Sequence, residues 1–485
     1  MTSLLPLLPI LGFVIALLAL AMLVPLAFAF FGGDAALYAY DGAIGITLGC
    51  GLALWWFTRR HQRELQPRDG FLLVTLIWTV LPVFAMLPLL FALPGLSVTD
   101  AYFEAMSGLT ATGATVLTGL DHLPLSINVW RCWLQLIGGL GVVVLAVAIL
   151  PLLGVGAAQL FKTEIPGPMK EAKLTPRIAE TARGLWAVYL GLSLLCLLAY
   201  RAAGMGWADA FMHMCSTMGL GGFSAYDASI GHFRSAAIEA VAIVFMVLAG
   251  INFARYFVVW RTRSLAPLWR DVEARAFVLA LAGSTLLISL YLLAHGEYAS
   301  FGEALRHTAF HVVSLATTTG YASTDYAQWP TFAPMMMILL GCFAGCAGSA
   351  AGGVKMVRML LLAKQAYREL VRIIHPRAVL PVKLGGGEVS QPVIASIIAF
   401  MMVYGATLAG LTLVMLFSGL EPITAATAVI ASVNNIGPGL GDVGPAVNFQ
   451  GLNDFQTWVC TLGMLLGRLE LLAVLVLFTP QFWRK

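Results

Sequence analysis

Apolar runs long enough to cross a bilayer recur along the chain at about 3–31, 38–58, 71–93, 128–154, 182–200, 236–260, 276–294, 331–363, 392–418 and 456–480. As helices, each can cover roughly 30 Å of hydrocarbon. Ten such runs predict ten spans with both chain ends on one side of the membrane. The first run has no basic residues ahead of it and stays apolar well past signal-peptide length, so it reads as a span. After two leading spans, four shorter apolar segments each run into a glycine-bearing loop: LTATGAT (109–115), MGLGGFS (218–224), ATTTGYAS (316–323) and VNNIGPG (433–439). Irregular backbone at membrane depth is tolerated only where it is buried in protein or lines a cavity.

The pattern predicts an all-α polytopic membrane protein: four covalently linked span–pore helix–span repeats around one pore, behind two leading transmembrane helices. The expected units are a two-helix extension at 1–65 and repeats at 66–160, 176–265, 271–375 (with an interrupted inner helix) and 388–482. The short helices carry start signals. Ser97-x-x-Asp100, Ser300-x-x-Glu303 and Ser418-x-x-Glu421 fit capping boxes, and Asp209 is the expected start in the second repeat.

Composition agrees with this pattern. The chain is 60% hydrophobic and 11% charged, with a mean hydropathy of +0.87, outside the range of water-soluble domains. Of 28 Lys and Arg, 20 fall on one face of the ten-span arrangement. They include Arg59, Arg60, Arg63 and Arg68, the group from Lys162 to Arg183, Arg261 to Arg275, and Lys364 to Lys383. The positive-inside rule then puts both termini in the cytoplasm. These charges are dispersed among loops without a binding motif, so the net charge of +4 indicates topology and contact with lipid, not nucleic-acid binding. The seven cysteines lie in or beside apolar runs and read as small packing residues.

The short helices start on the outer side and point their carbonyl ends at the bilayer centre, where partial negative charge favours a cation. Glycine reaches positive φ without steric cost, which lets successive carbonyls turn toward an axis. Rings of carbonyls can replace the hydration shell of an alkali cation. One glycine in a membrane helix is ordinarily a packing residue, but Gly113, Gly222, Gly320 and Gly437 sit at matched places. Thr110, Thr112, Thr317, Thr318 and Thr319 either add hydroxyl ligands or brace the loops. Asp227, Asp325 and Asp442 each lie five residues past the glycine. They are either loop caps or an outer vestibule that concentrates cations; the first repeat has Thr118 there, with Asp121 beyond.

Two features lie below the loops. In GCFAGCAGSAAGGVK (341–355), positions 347–353 carry no bulky side chain. Such density fits a movable break over Gly345, Gly348, Ser349, Gly352 and Gly353 with Lys355 beside it, against the alternative of close helix packing. Arg468 is about twelve residues from the inner end of its run, or roughly 18 Å along a helix, and a mid-membrane Arg is a functional candidate. It is expected to act as an electrostatic barrier, tempered by a carboxylate or carbonyls, or else to pair with another helix; Glu470 points to a different face.

FEAMSGLTATGATVLTGL (103–120), STMGLGGFSAYDASIG (216–231), SLATTTGYASTDYAQWP (314–330) and SVNNIGPGLGDVG (432–444) resemble, in this order, the membrane subunit of the Trk/Ktr/HKT potassium transporters, most closely the bacterial Trk type. The resemblance implies potassium ligands from the backbone carbonyls of Thr112, Gly113, Leu220, Gly221, Gly222, Thr319, Gly320, Ile436 and Gly437, flanked by Ala111, Thr318 and Asn435. For the second repeat, matching Gly-aromatic pairs selects Gly222, whereas an ungapped match from Phe211 and Phe310 selects Gly221. The loops depart from TVGYG, which implies fewer stacked ion sites. The family further implies potassium uptake across a bacterial inner membrane, an intramembrane gating loop, a homodimer with one pore per protomer, and docking on a cytosolic ring of nucleotide-binding RCK domains. No cofactor is expected on this chain: it shows no P-loop or catalytic constellation, so a nucleotide of the NAD or ATP class would act through that partner. The rival reading is a proton- or sodium-coupled potassium symporter.

Overall fold

The computed structural model describes residues 4–61, 66–148 and 174–484. The leading helices, Leu8–Gly32 and Leu37–Thr58, run against one another at backbone distance. A Cβ on Gly12 would lie 2.7 Å from the Gly51 carbonyl oxygen, so the small residues are what let these helices meet.

Four units of one design follow. Their first helices are Arg68–Ala92, Leu174–Ala202, Val272–Ala294 and Gln391–Phe417. Their pore helices are Val98–Leu109, Trp207–Gly219, Phe301–Ala316 and Pro422–Val433, each too short to span. Their second helices begin at Leu125, Ala236, Phe332 and Asp454. A small antiparallel hairpin, Lys383 opposite Glu388, precedes the fourth unit.

Polarity is inverted relative to a water-soluble protein. Phe31, Leu279, Met402 and Phe417 are 70–93% exposed on the periphery. Ser107, Thr112, Ser216, Thr217, Ser314, Thr319, Ser432 and Asn434 are buried at the centre. Apolar surface of that extent is stable only against lipid tails, and the polar centre is where an ion would be accommodated.

The spans differ in part from expectation. Among the described residues, six helices are long and apolar enough to cross a membrane. The expected spans 236–260 and 456–480 are each broken: Ala236–Gly250 turns by 90° into Phe253–Thr262, and Asp454–Arg468 by 103° into Leu472–Phe478. The run 331–363 is helical only at Phe332–Phe343 before Met356–Ile374 resumes. Each bent pair still reads together as one apolar run, so hydropathy alone passes over the break. The run 128–154 is described as the helix Leu125–Ala148; the rest of the first repeat lies outside the described residues, as do Arg63, Lys162, Lys170 and Lys173.

Two start signals also read differently. Pore helix 4 begins at Pro422 with Glu421 before it, while the Ser418 hydroxyl donates to Met415 O at 2.6 Å and closes the preceding helix. Proline fits the first helical position because no N–H is needed there. Pore helix 2 starts at Trp207 after Gly206, and Asp209, inside the first turn, accepts from the Tyr226 hydroxyl at 3.0 Å. Ser97 and Ser300 form the serine half of the expected boxes, accepting from Asp100 N and Glu303 N.

Candidate functional site

All four pore helices end the same way. Ala111, Leu220, Thr318 and Asn435 take positive φ of 51–60°. The next residue, Thr112, Gly221, Thr319 or Ile436, sends its N–H back five positions, to Ser107, Ser216, Ser314 or Ala431 O at 2.8–2.9 Å. The left-handed residue bonds three positions back, completing a Schellman motif in each quarter. The following glycines, Gly113, Gly222, Gly320 and Gly437, have φ of 77–99°. This fourfold register matches Gly222, not Gly221, to the other three glycines.

The loops close into a ring. A Cβ on Gly113 would sit less than 3.0 Å from Gly221 O, one on Gly222 from Thr319 O, one on Gly320 from Ile436 O, and one on Gly437 from Thr112 O. Each quarter's glycine therefore abuts the carbonyl that precedes the next quarter's glycine, and the fourth returns to the first. Any side chain there would collide with backbone. On the outward side a cavity of about 80 Å³ opens onto Gly113, Gly222, Gly320 and Pro438.

The threonines brace the loops. The Thr110 and Thr112 hydroxyls meet at 2.7 Å, as do those of Thr317 and Thr319, and Thr110 and Thr317 donate to Met106 O and Val313 O. Asn435 Nδ2 donates to Thr112 Oγ1 at 2.8 Å, joining the fourth quarter to the first. Of the three acidic residues, Asp227 lines the cavity and accepts from Gly119 N and Leu120 N at 2.9 and 3.1 Å. Asp325 caps the turn Tyr326–Gln328. The exposed Asp442 sits in the turn Gly441–Val443, its N–H on Thr424 Oγ1.

Beneath the ring, residues 344–355 form the loop under the third and fourth quarters. Gly352 N donates to Thr318 Oγ1 at 2.7 Å, and a Cβ on Gly352 would strike Asn434 O. Gly345 O accepts from Met356 N at 2.7 Å, and Gly348 and Gly353 have φ of 70° and 68°. A Cβ on Gly353 would press on Gly341 O and Cys342 O at 2.8 and 2.9 Å. Ser349 Oγ donates to Cys346 O at 2.6 Å, and Lys355 Nζ donates to Ala351 O. The second repeat's break holds the loop from outside, Phe253 N donating to Gly348 O at 3.1 Å, and the third repeat's own first helix ties it down, Ala347 N and Val357 N donating to Glu273 Oε1 at 2.8 and 3.1 Å.

Arg468 is the last residue of its helix, so the expected 18 Å of continuous helix below it does not exist. The chain turns through Glu470 and Leu471, both at positive φ. Its guanidinium donates to Ala350 O on the loop and to Gly138 O, each at 3.1 Å. Among the described residues its Nε has no partner and no carboxylate pairs with it. Glu470 instead pairs with Arg358 at 2.7 Å.

Sequence reasoning missed several residues. Glu104 and Arg131 form a buried ion pair at 2.7 Å behind the first loop. Gln135 donates to Gly221 O at 2.8 Å and accepts from Phe223 N at 3.0 Å. Asn252 and Glu273 hold the lower loop. A polar residue inside an apolar helix was the available signal.

A single-chain, fourfold membrane assembly closed around a ring of backbone carbonyls is the architecture of an ion-translocating protein. The chain belongs to the TrkH family of cation transport proteins, which it matches over residues 42–485; this is a family of transporters, not enzymes. It is 44% identical to the Trk system potassium uptake protein TrkH of Vibrio parahaemolyticus over 98% of both chains. It is 39% identical to TrkG of Escherichia coli K12 over 98% of this chain and 97% of that one. The crystal structure of the Vibrio parahaemolyticus potassium transporter TrkH superposes with a TM-score of 0.92 at 41% identity, covering all of both chains.

Proposed function

We propose that this chain takes up potassium across a bacterial inner membrane, with both termini cytoplasmic. Dehydrated ions cross the ring formed around Gly113, Gly222, Gly320 and Gly437, and the loop 345–353 with Arg468 restricts flow beneath it. The observation that carries this reading is the cyclic contact of each glycine with the next quarter's carbonyl, which makes one conduit of four unlike loops. An inside-negative potential supplies about 2.3 kcal/mol per charge per 100 mV, enough to drive uptake without chemistry. The relatives named as Trk potassium uptake proteins support the choice of ion.

A coupled symporter needs a carboxylate that faces the ion path and changes its state. Among the described residues the buried carboxylates are engaged: Asp69 with Gln66 N, Glu104 with Arg131, Glu239 with Arg306, Asp271 with Arg255, and Glu273 with two backbone N–H groups. Control is assigned to a cytosolic nucleotide-binding RCK ring on the basic loops and to a homodimer with one pore per protomer. Flux of potassium, rubidium and sodium in proteoliposomes, with voltage varied, tests the reading. Potassium and rubidium should pass in preference to sodium and follow the potential. Flux that requires a proton or sodium gradient would replace this reading with the symporter.

A further inference from the structure

Counting back from each ring glycine brings unlike residues to one place. Nine positions ahead of Gly113, Gly222 and Gly320 stand Glu104, His213 and His311, all fully buried; Ala428 holds the place in the fourth quarter. The three polar side chains do the same thing, tying down the outward leg of their own loop. Glu104 accepts from Thr115 Oγ1 at 3.0 Å and Val116 N at 3.1 Å. His213 Nε2 meets Ser224 Oγ at 3.0 Å, and His311 Nε2 accepts from Ser323 N and Thr324 N at 3.2 and 3.4 Å. In the fourth quarter Thr427, one residue earlier, accepts from Leu440 N at 2.9 Å.

Only the first brace is ionised on both sides and reaches across a quarter boundary. Arg131 Nε pairs with Glu104 at 2.7 Å. One terminal nitrogen donates to Ser224 O in the second quarter at 3.0 Å and to Asn128 Oδ1 at 3.1 Å; the other donates to Thr115 Oγ1 at 3.2 Å. The guanidinium lies over the Phe223 ring, 4.4 Å from its centroid, and lines the outward cavity. Thr115 and Ser224 each stand two residues past their glycine. The pair thus pins the same point of two neighbouring loops.

We propose that the Glu104–Arg131 pair is a selectivity-determining clamp that sets the spacing of the first and second loops and so the radius of the carbonyl ring. The proposal rests on the reading of that ring as a potassium filter. Carbonyls free to close in would coordinate sodium as well as potassium; legs held from behind by charge-assisted bonds resist that movement. The clamp adds little charge to the vestibule, because the carboxylate neutralises the guanidinium. It is a positioning device, since neither side chain needs to touch the ion.

The test is the potassium-to-sodium permeability ratio, from reversal potentials of the full-length protein in planar bilayers. Arg131→Gln should lower the ratio roughly tenfold, the scale of one lost charge-assisted hydrogen bond. Thr115→Val, which keeps shape but removes the shared hydroxyl, should lower it several-fold, and Thr115→Ser should restore it. If Arg131→Gln does not assemble, the Thr115 pair decides alone. An unchanged ratio in Thr115→Val, or a failure of Thr115→Ser to restore it, overturns the clamp. A wild-type protein that does not discriminate the two ions overturns the filter reading instead.

Discussion

At the scale of single residues, the ring is built from conformations that most side chains avoid. Ala111, Leu220, Thr318 and Asn435 occupy the left-handed region, at a cost of about 1–2 kcal/mol each. Buried helix-end hydrogen bonds offset it. Because none of the four is glycine, the helix ends could not be read from sequence, whereas the glycines two residues later could. The contacts at those glycines are unequal. At Gly437 the nearest carbonyl would be 2.8 Å from a Cβ, and at the other three it is closer. Alanine at Gly113, Gly222 or Gly320 should therefore abolish discrimination between potassium and sodium, while Gly437→Ala should retain part of it; equal loss at all four would contradict the ring geometry. Arg468→Ala removes a buried cation held by two carbonyls. Potassium flux should rise several-fold, since a charge in a dry path is a barrier of several kcal/mol. Equal or lower flux in correctly assembled protein would return Arg468 to a packing role.

At the scale of elements, the second helices of repeats two, three and four all stop beneath the ring, and only the third interruption was visible beforehand. Its glycine, alanine and serine run announced it. At the break after Gly250, Asn252 caps the new helix locally at Ala254 N while Phe253 N reaches Gly348 O; after Arg468, Glu470 pairs with Arg358 from the third repeat. All three ends meet the loop 344–355 or Arg358 beside it, so the loop proposed as a gate is enclosed by several repeats. Deleting 347–351 should leave a leakier protein; closure undiminished by the deletion would make the segment plain packing. Asn252→Ala removes a cap worth about 1 kcal/mol and the amide that meets Gly348. Basal flux should rise in proteoliposomes without any change in the potassium-to-sodium ratio, because the ring lies above this contact. A changed ratio would mean that gate and filter are one mechanical unit.

At the scale of the whole molecule, four unlike quarters give an asymmetric pore. One junction is bridged by Arg131 on Ser224 O, another by Asn435 on Thr112, and the loop 344–355 lies under the third and fourth quarters. Adding a purified RCK ring with and without nucleotide should change flux at constant voltage; identical flux in all conditions would remove the cytosolic control proposed above. The membrane class, the four glycine-bearing loops, the small-residue run and the place of Arg468 were legible in the sequence alone. Each depends on composition or on backbone freedom, which are properties of the local chain. The match of Gly222 to the other quarters, the left-handed helix ends, two of the three breaks, and the partners of Glu104, Glu273 and Arg468 were decided only in the tertiary structure. They depend on which carbonyl or charge lies opposite, across up to 330 residues of chain, and hydropathy carries no record of that pairing.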